Sequence, residues 1–576
     1  MRLPLGVDDF KKLRLKKCDY VDKTLLLKDL LDDTTEAFLI TRPRRFGKTL
    51  NMSMIRYFFD SRDQEENKAL FKGTLIETAT LTDGTPCIDF QGQYPVIYLT
   101  MKDMRSETME GMMENIQHML SMLYQEHHYL LESDRLTEEN KKIFHAVVER
   151  TAKLSDIQHA LKSLCDHMKN YYDKPVIILI DEYDTPMHTA YSARTPYHED
   201  LVVFMKSFLG SAFKSNTSLK QGILTGILRI SLMNLFSGLN SLPVCTVLTD
   251  LYADYFGFSE TEVDALFKQA ALDVDMTAVK KWYNGYTIGS STLYNPWSII
   301  SCLRLKGSLQ SYWLQSGEHG VLGRAMINSR TTEVLAKLQA LIENDSIETE
   351  LDERSIFTQL ENNENALWTL MLYAGYLKPI DIQSINRKTI ITLQIPNEEV
   401  KTCFDGIIDR WGKIPNAGET IYQALMTTLN DGNIYALRTL LQQYIIETTS
   451  YYDFNFKTEE RFYHIFFLGM FVSLSQTFTI DSNKESGIGR YDIALIPKNP
   501  NQKGVILEIK RVNQLPDGES ERDAIMKAAV QDALNQIDQN LYKTNLIRHG
   551  VKQAVHIGIA MCGKVMASDC VFVDYQ

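Results

Sequence analysis

Residues 176–180, Val-Ile-Ile-Leu-Ile, carry no polar side chain, and the run ends on Asp181 and Glu182. A strand with one wet face alternates apolar and polar residues. An unbroken apolar run therefore predicts a strand covered on both faces, as in a parallel sheet flanked by helices. Shorter runs at 37–41, at 96–100 after Pro95, and at 222–225 read the same way. Helical patterns lie between them: one starts at Lys48 and continues through Leu50, Met54, Ile55 and Phe58, and a long one covers 107–168. Strands that alternate with helices define the α/β class. With 576 residues the chain is long enough for about three or four domains.

The loop after the first run reads Arg42-Pro43-Arg44-Arg45-Phe46-Gly47-Lys48-Thr49. It fits G-x-x-x-x-G-K-[ST] at every position except the first, where Arg42 replaces glycine. Gly47 lets the backbone approach a phosphate closely, and N–H groups at the start of the next helix face the anion. Lys48 is placed to reach the β- and γ-phosphates, and the Thr49 hydroxyl to ligate Mg²⁺. A basic surface loop before a helix has the same composition, so the acidic strand end carries the weight. Asp181 is placed to hold the Mg²⁺ shell, and Glu182 to orient or deprotonate an attacking water. Thr225 ends a later strand as a polar sensor of the γ-phosphate, and Arg229 follows closely enough to stabilise transition-state charge. The pattern predicts a P-loop site for ATP and Mg²⁺, with Arg42, Arg44, Arg45 and Phe46 contributing from the loop.

The combination R-P-R-R-F-G-K-T and L-I-D-E-Y-D-T-P, the latter at 179–186, resembles the bacterial AAA-ATPase-like family. The openings L-P-L-G-V-D-D-F and Y-V-D-K-T resemble it too, as do T-G-I at 225–227, F-S-G-L-N at 236–240, W-Y-N-G-Y at 282–286 and Y-N-P-W-S at 294–298. The resemblance covers nearly the whole chain. It implies that the Arg-Pro start of the loop is a family feature, and that the ATPase fold is followed by a helical lid. The two aromatic motifs read as core anchors that pack the lid on the sheet, with base stacking or phosphate sensing as the sharper alternative.

From about Ser259 the pattern is helical. A helix at 365–373 that stops near Gly375, followed by a β-pair at 377–380 and 389–395, is compatible with a winged-helix module, and helices return over 397–448. These readings divide the chain into a P-loop domain at 1–258, a helical lid with the winged-helix-like module at 259–448, and a C-terminal domain at 449–576. That last part reads as a helix at 459–474, strands at 492–496 and 505–509, a helix around 524–542, and strands at 555–560 and 571–573. Residues two apart on a strand share a face, so Glu508 and Lys510 point one way and Leu507 and Ile509 the other. A hairpin through 497–504 would bring Asp492 beside them. Two carboxylates and a lysine on one sheet edge suit Mg²⁺ binding and water activation against a phosphodiester. Glu460, on the preceding helix, would add a carboxylate.

This arrangement resembles the PD-(D/E)XK nuclease superfamily, a restriction-endonuclease-like α/β fold, in the form that accompanies this ATPase family. The residues that fit are Glu460-Arg461-Phe462-Tyr463-His464, Gly489-Arg490 with Asp492, Glu508-x-Lys510, and Gln536-Ile537; Gln536 is favoured over Gln531 as the family-like amide. The proline usual before the aspartate is absent. The resemblance implies Asp492, Glu508, Lys510, Glu460 and Gln536 as a nuclease site with Asp492 and Glu508 on the metal.

The remaining composition narrows partners and location. The net charge of −12 excludes a polycation, so nucleic-acid contact needs a local basic surface. The eight cysteines include no Cys-x-x-Cys pair, which argues against a zinc ribbon or a disulfide scaffold. Asp8 and Asp9 interrupt the N-terminus before any apolar signal region, and polar residues interrupt the most apolar stretch, 462–478, so the expected location is the cytoplasm, off the membrane. An arginine supplied by a neighbouring copy would need a homo-oligomer, whereas Arg229 would act within one chain; both stay open. The expected function is ATP-dependent processing of nucleic acid, DNA first, by a metal-dependent nuclease domain. The alternative is a non-cleaving ATP switch whose C-terminal domain binds DNA or a protein.

Overall fold

The four apolar runs become β1 (Ala37–Thr41), β2 (Val96–Thr100), β3 (Val176–Asp181) and β4 (Leu219–Gly226). With β5 (Val244–Cys245) they form one sheet in the order β2-β3-β4-β1-β5, every pair parallel. Every residue of β1 and β3 is buried, which is why neither sequence alternates. β4 lies between β1 and β3. The loop after β1 and the carboxylates that end β3 therefore flank the end of β4, at the carboxyl edge where open parallel sheets bind ligands.

This computed structural model describes residues 1–192, 197–228, 242–313, 332–342, 345–352, 363–404 and 417–448. Beyond them it describes Tyr463, Phe467, Phe471, Leu474 and residues 477–482, 485–486, 489–490, 492–499, 501–516, 518–539 and 543–575. Arg229, Glu460, the F-S-G-L-N motif and most of the helix expected at 459–474 lie outside the described residues. The chain divides into two compact units, Met1–Ser329 with Asn344–Thr402, and Arg330–Glu343 with Cys403–Gln576. No helix among the described residues is long and apolar enough to cross a membrane. The eight cysteines are free thiols, and Cys87, Cys165, Cys245, Cys302 and Cys403 are buried.

In the first unit the stretch 107–168 is not one helix. Thr108 caps Met109–Glu126, Thr137 caps Glu138–Val148, and a third helix covers Ala160–Tyr172. Beyond the sheet, Ser259 and Glu262 form a capping box on the helix Glu260–Ala270, and Asn295 caps Pro296–Arg304 with Pro296 at the first turn. A hairpin of β6 (Tyr286–Ile288) and β7 (Ser291–Leu293) interrupts what reads as helical sequence. Strands of three residues are too short to give a period-two signal. β8 (Ile347–Glu350) follows, and the helix Glu364–Tyr373 leads into β9 (Lys378–Ile385) and β10 (Lys388–Gln394). The expected helix and hairpin are present, and β8 pairs with β10 to make a sheet of three strands.

Glu399 holds this part together. Its fully buried carboxylate accepts from Ser298 Oγ at 2.7 Å, Tyr312 N–H at 2.6 Å and Trp313 N–H at 2.7 Å. Burial raises its pKa above the ordinary 4.5, against the opposing effect of those three donors. The folded state thus binds this proton more tightly than the unfolded chain. The stabilising contribution is complete below pH 4.5 and is lost as pH rises through the raised value. Glu399→Gln keeps an acceptor for the two peptide donors, so its stability should rise relative to wild type as pH increases through that window. Glu399→Leu strands all three donors and should cost about 2–3 kcal/mol. Urea denaturation across pH 4–8 checks both expectations.

The second unit is built on β11 (Phe478–Ser482), the short pair β12 (Glu485–Ser486) and β13 (Gly489–Arg490), β14 (Ile493–Pro497), β15 (Gly504–Arg511), β16 (Gln553–Cys562) and β17 (Val565–Asp574). Its main sheet has the order β11-β14-β15-β16-β17. Only β15 and β16 run parallel, and the helix Glu519–Gln539 lies in the crossover that a parallel pair requires. The sheet carries a core on each face. Leu507 and Ile509 pack with Ile421, Leu425, Leu437 and Leu441, while Ala494, Ile496 and Ile506 pack with Met526, Val530 and Leu534 of the crossover helix.

Candidate functional site

The loop after β1 bends through two left-handed residues, Arg45 at φ 68° and Gly47 at φ 84°. Left-handed residues alternating along a loop turn successive N–H groups toward one concavity, the geometry of an anion nest. Glycine adopts this backbone without strain; arginine at such an angle costs about 1–3 kcal/mol, the kind of strain retained at working sites. The helix Lys48–Phe59 starts directly behind Gly47. Arg44, Arg45, Phe46, Gly47, Lys48 and Thr49 all line a cavity of about 1040 Å³.

Thr49, Asp181 and Thr225 meet at its floor. Thr49 Oγ1 donates to Asp181 Oδ2 at 2.7 Å, and Thr225 Oγ1 donates to Asp181 Oδ1 at 2.5 Å. Asp181 and Thr225 are fully buried. The described contacts of the Asp181 carboxylate are thus two neutral hydroxyls, one of them at the cavity wall. A buried carboxylate supplied only with neutral donors fits a cation beside Thr49. Lys48 Nζ donates to the carbonyls of Arg42 and Pro43 at 2.9 and 2.8 Å. Burial lowers the Lys48 pKa, with Glu182, Asp181 and Asp184 pulling the other way. Glu182 lines the cavity on a left-handed backbone, φ 53°. Burial raises its pKa, opposed by Lys48 and reinforced by Asp181 and Asp184.

Arg42 does not join them. Its guanidinium is buried and donates to the carbonyls of Thr41 (2.9 Å), Cys245 (2.7 Å), Thr246 (3.0 Å) and Leu251 (3.1 Å), over the ring of Phe256. It is absent from the cavity wall, so the expected ligand contact is replaced by a structural one. Burial pulls its pKa down to about 10. The residue that stands where the motif has glycine ties the start of the loop to the segment after β5. Arg42→Met leaves four carbonyls without this donor and should lower stability by about 3–5 kcal/mol, read as the shift of the urea midpoint.

The sequence reading gave no role to Asp184. It is buried, and its Oδ2 accepts from the N–H groups of Ile227 and Leu228 at 2.8 and 2.9 Å and lies 3.2 Å from His188 Nε2. Burial pushes its pKa up, but the His188 and backbone contacts outweigh this and hold it below the ordinary range. Gly226 makes the approach possible, since a Cβ there would stand 2.7 Å from Asp184 Oδ1 and from the Tyr183 ring. The acid segment is thereby fixed to the turn that leads toward Arg229. Its signal in the sequence was a third carboxylate among the apolar residues of 179–187.

The second constellation lies in the second unit. β14 and β15 pair with Ile493 opposite Leu507, so Asp492 and Glu508 are neighbours at the end of that ladder. Asp492 Oδ2 accepts from the N–H of Ile509 at 2.7 Å. Glu508 is nearly covered, at 2% exposure. Lys510 Nζ lies 3.5 Å from Glu508 Oε1. Gln536 joins the two: its amide donates to Glu508 Oε1, and its carbonyl accepts from Lys510 Nζ. Gln531 instead bonds to Asn535 of its own helix. The structure brings Asp492, Glu508, Lys510 and Gln536 to one place.

Residues 4–236 match the family model described as predicted AAA-ATPase, and residues 458–569 match that of the PD-(D/E)XK nuclease superfamily. The chain carries an AAA-ATPase-like domain and a PD-(D/E)XK nuclease superfamily domain. It is also similar to an uncharacterized protein in the vnfD 5′ region of Azotobacter chroococcum mcd 1. The two are 25% identical over 401 residues, which cover 69% of this chain and 68% of that protein. No solved structure matches.

Proposed function

We propose that the protein hydrolyses ATP in the cavity of the first unit, and that this hydrolysis governs Mg²⁺-dependent cleavage of nucleic acid, DNA first, by the C-terminal domain in the cytoplasm. The observation that carries the reading is the convergence of Thr49, Asp181 and Thr225 beneath the loop of Arg45 and Gly47, with Glu182 open to the same cavity. In this reading Lys48 leaves the Arg42 and Pro43 carbonyls for the phosphates. Arg44, Arg45 and the loop N–H groups surround the same anion. Thr49 and Asp181 hold Mg²⁺, Glu182 orients the attacking water, and Thr225 and Arg229 answer to the terminal phosphate. In the second unit Asp492 and Glu508 hold the metal, Lys510 and Gln536 position the water and the phosphodiester, and Glu460 adds a carboxylate. Bound Mg²⁺ supplies charge neutralisation on the phosphate oxygens at both sites.

One observation favours a non-cleaving alternative: Glu508 is covered and engaged by Lys510 and Gln536. A domain of that kind would bind DNA or a protein partner under the control of ATP. The assay that decides uses purified protein with Mg²⁺ on labelled single-stranded DNA, duplex DNA and RNA, with and without ATP. Product strands that require ATP support the nuclease reading. Intact strands that are nevertheless bound in a nucleotide-dependent way support the switch and overturn it.

A further inference from the structure

Three motifs have no part in the phosphate chemistry: the opening Leu3-Pro4-Leu5-Gly6-Val7, the Tyr20-Val21-Asp22-Lys23 segment, and Asn295-Pro296-Trp297 of the lid. Each sends residues to the cavity that the loop Gly47-Lys48-Thr49 opens into. Leu3, Val21, Phe258, Leu266 and Trp297 belong to one hydrophobic cluster, which also contains Val263, Phe267 and Ile299. Four of these five, all but Leu266, are half-buried, and all five face the cavity. They are covered from behind by the cluster and left open in front. Lys23 fixes the wall from the rear: its Nζ donates to Glu262 Oε1 and Oε2 at 2.7 and 2.8 Å and to the Asp254 carbonyl at 2.8 Å. The Arg45 guanidinium lies 4.3 Å from the centre of the Trp297 ring, which sets the wall against the anion-binding loop.

One cavity thus has a cationic, N–H-rich end and an apolar end. Its volume of about 1040 Å³ lies at the upper end for small-ligand sites and accommodates a ligand that spans both. A ligand that satisfies both ends is polyanionic at one terminus and carries a flat apolar ring at the other. We infer that the wall of Leu3, Val21, Phe258, Leu266 and Trp297 is the base subsite of the nucleoside triphosphate whose phosphates the loop binds. The inference rests on the ATP reading of the loop and assigns the opening motifs to ring recognition instead of to the core alone.

Titration calorimetry of the full chain in Mg²⁺, with ATP and with inorganic tripolyphosphate, separates the two. Wild type should bind ATP at least tenfold more tightly than tripolyphosphate. Val21→Phe fills the subsite without adding charge; it should remove most of that difference and leave tripolyphosphate affinity within about twofold. Leu3→Phe repeats the comparison from another segment, so loss of fold in one variant does not end the test. Equal wild-type affinities overturn the base subsite while leaving the phosphate site standing. A strong ATP preference that survives both substitutions also overturns it, because the ring then lies elsewhere. Binding of neither ligand by wild type defeats the ATP reading itself, and the subsite with it.

Discussion

Glu182→Gln should lower ATP turnover at least about a hundredfold while leaving ATP affinity near that of wild type. The amide has the size of the carboxylate, and its backbone keeps the same left-handed angle, so the cavity keeps its shape. What it loses is the ability to accept a proton from, or orient, a water beside the terminal phosphate. The pH profile gives a second readout. Burial lifts the Glu182 pKa above the ordinary 4.5, and the base form exists only above that raised value. Wild-type turnover should therefore rise with pH through an acid limb displaced upward from that value, and the glutamine variant should lack that limb. An unchanged profile in Glu182→Gln would assign the limb to another group and remove Glu182 from its role.

Asp492→Asn should reduce metal-dependent strand cleavage about a thousandfold and leave ATP turnover intact. Asparagine is the informative replacement because the Asp492 carboxylate also accepts from the Ile509 N–H, a contact that an amide oxygen preserves. The β14–β15 ladder then survives while the charge beside Glu508 is gone. Asp492→Ala removes both and cannot separate them. Comparable cleavage by wild type and the asparagine variant, measured on one labelled substrate, would exclude Asp492 from the chemistry.

What could be read from the sequence follows from where each residue gets its partners. β1 and β3 were legible because burial on both faces leaves an unbroken apolar signature. Asp181 and Thr49 were legible because each sits at the end of such a run, so local structure alone aims them at the same sheet edge. Asp492, Glu508 and Lys510 were legible through period two and a short hairpin. Arg42 was misplaced for the opposite reason: its acceptors are carbonyls at Cys245, Thr246 and Leu251, some two hundred residues away, and carbonyls leave no trace in side-chain patterns. The β6–β7 hairpin escaped because its strands have three residues each. Asp184 escaped because its partners are backbone N–H groups after β4.

The chain crosses between the two units three times, since 330–343 belongs with 403–576 while 344–402 belongs with the first unit. The helices Ala417–Asp431 and Tyr435–Thr448 supply Ile421, Leu425, Leu429, Leu437, Leu441 and Ile445 to one face of the C-terminal sheet. The nuclease-like part is therefore not a cassette that can be appended or removed at one junction. A gene fragment beginning at 449 would inherit the acidic site but leave one side of its sheet bare to water. The two halves are bound to travel together through recombination, as one heritable piece.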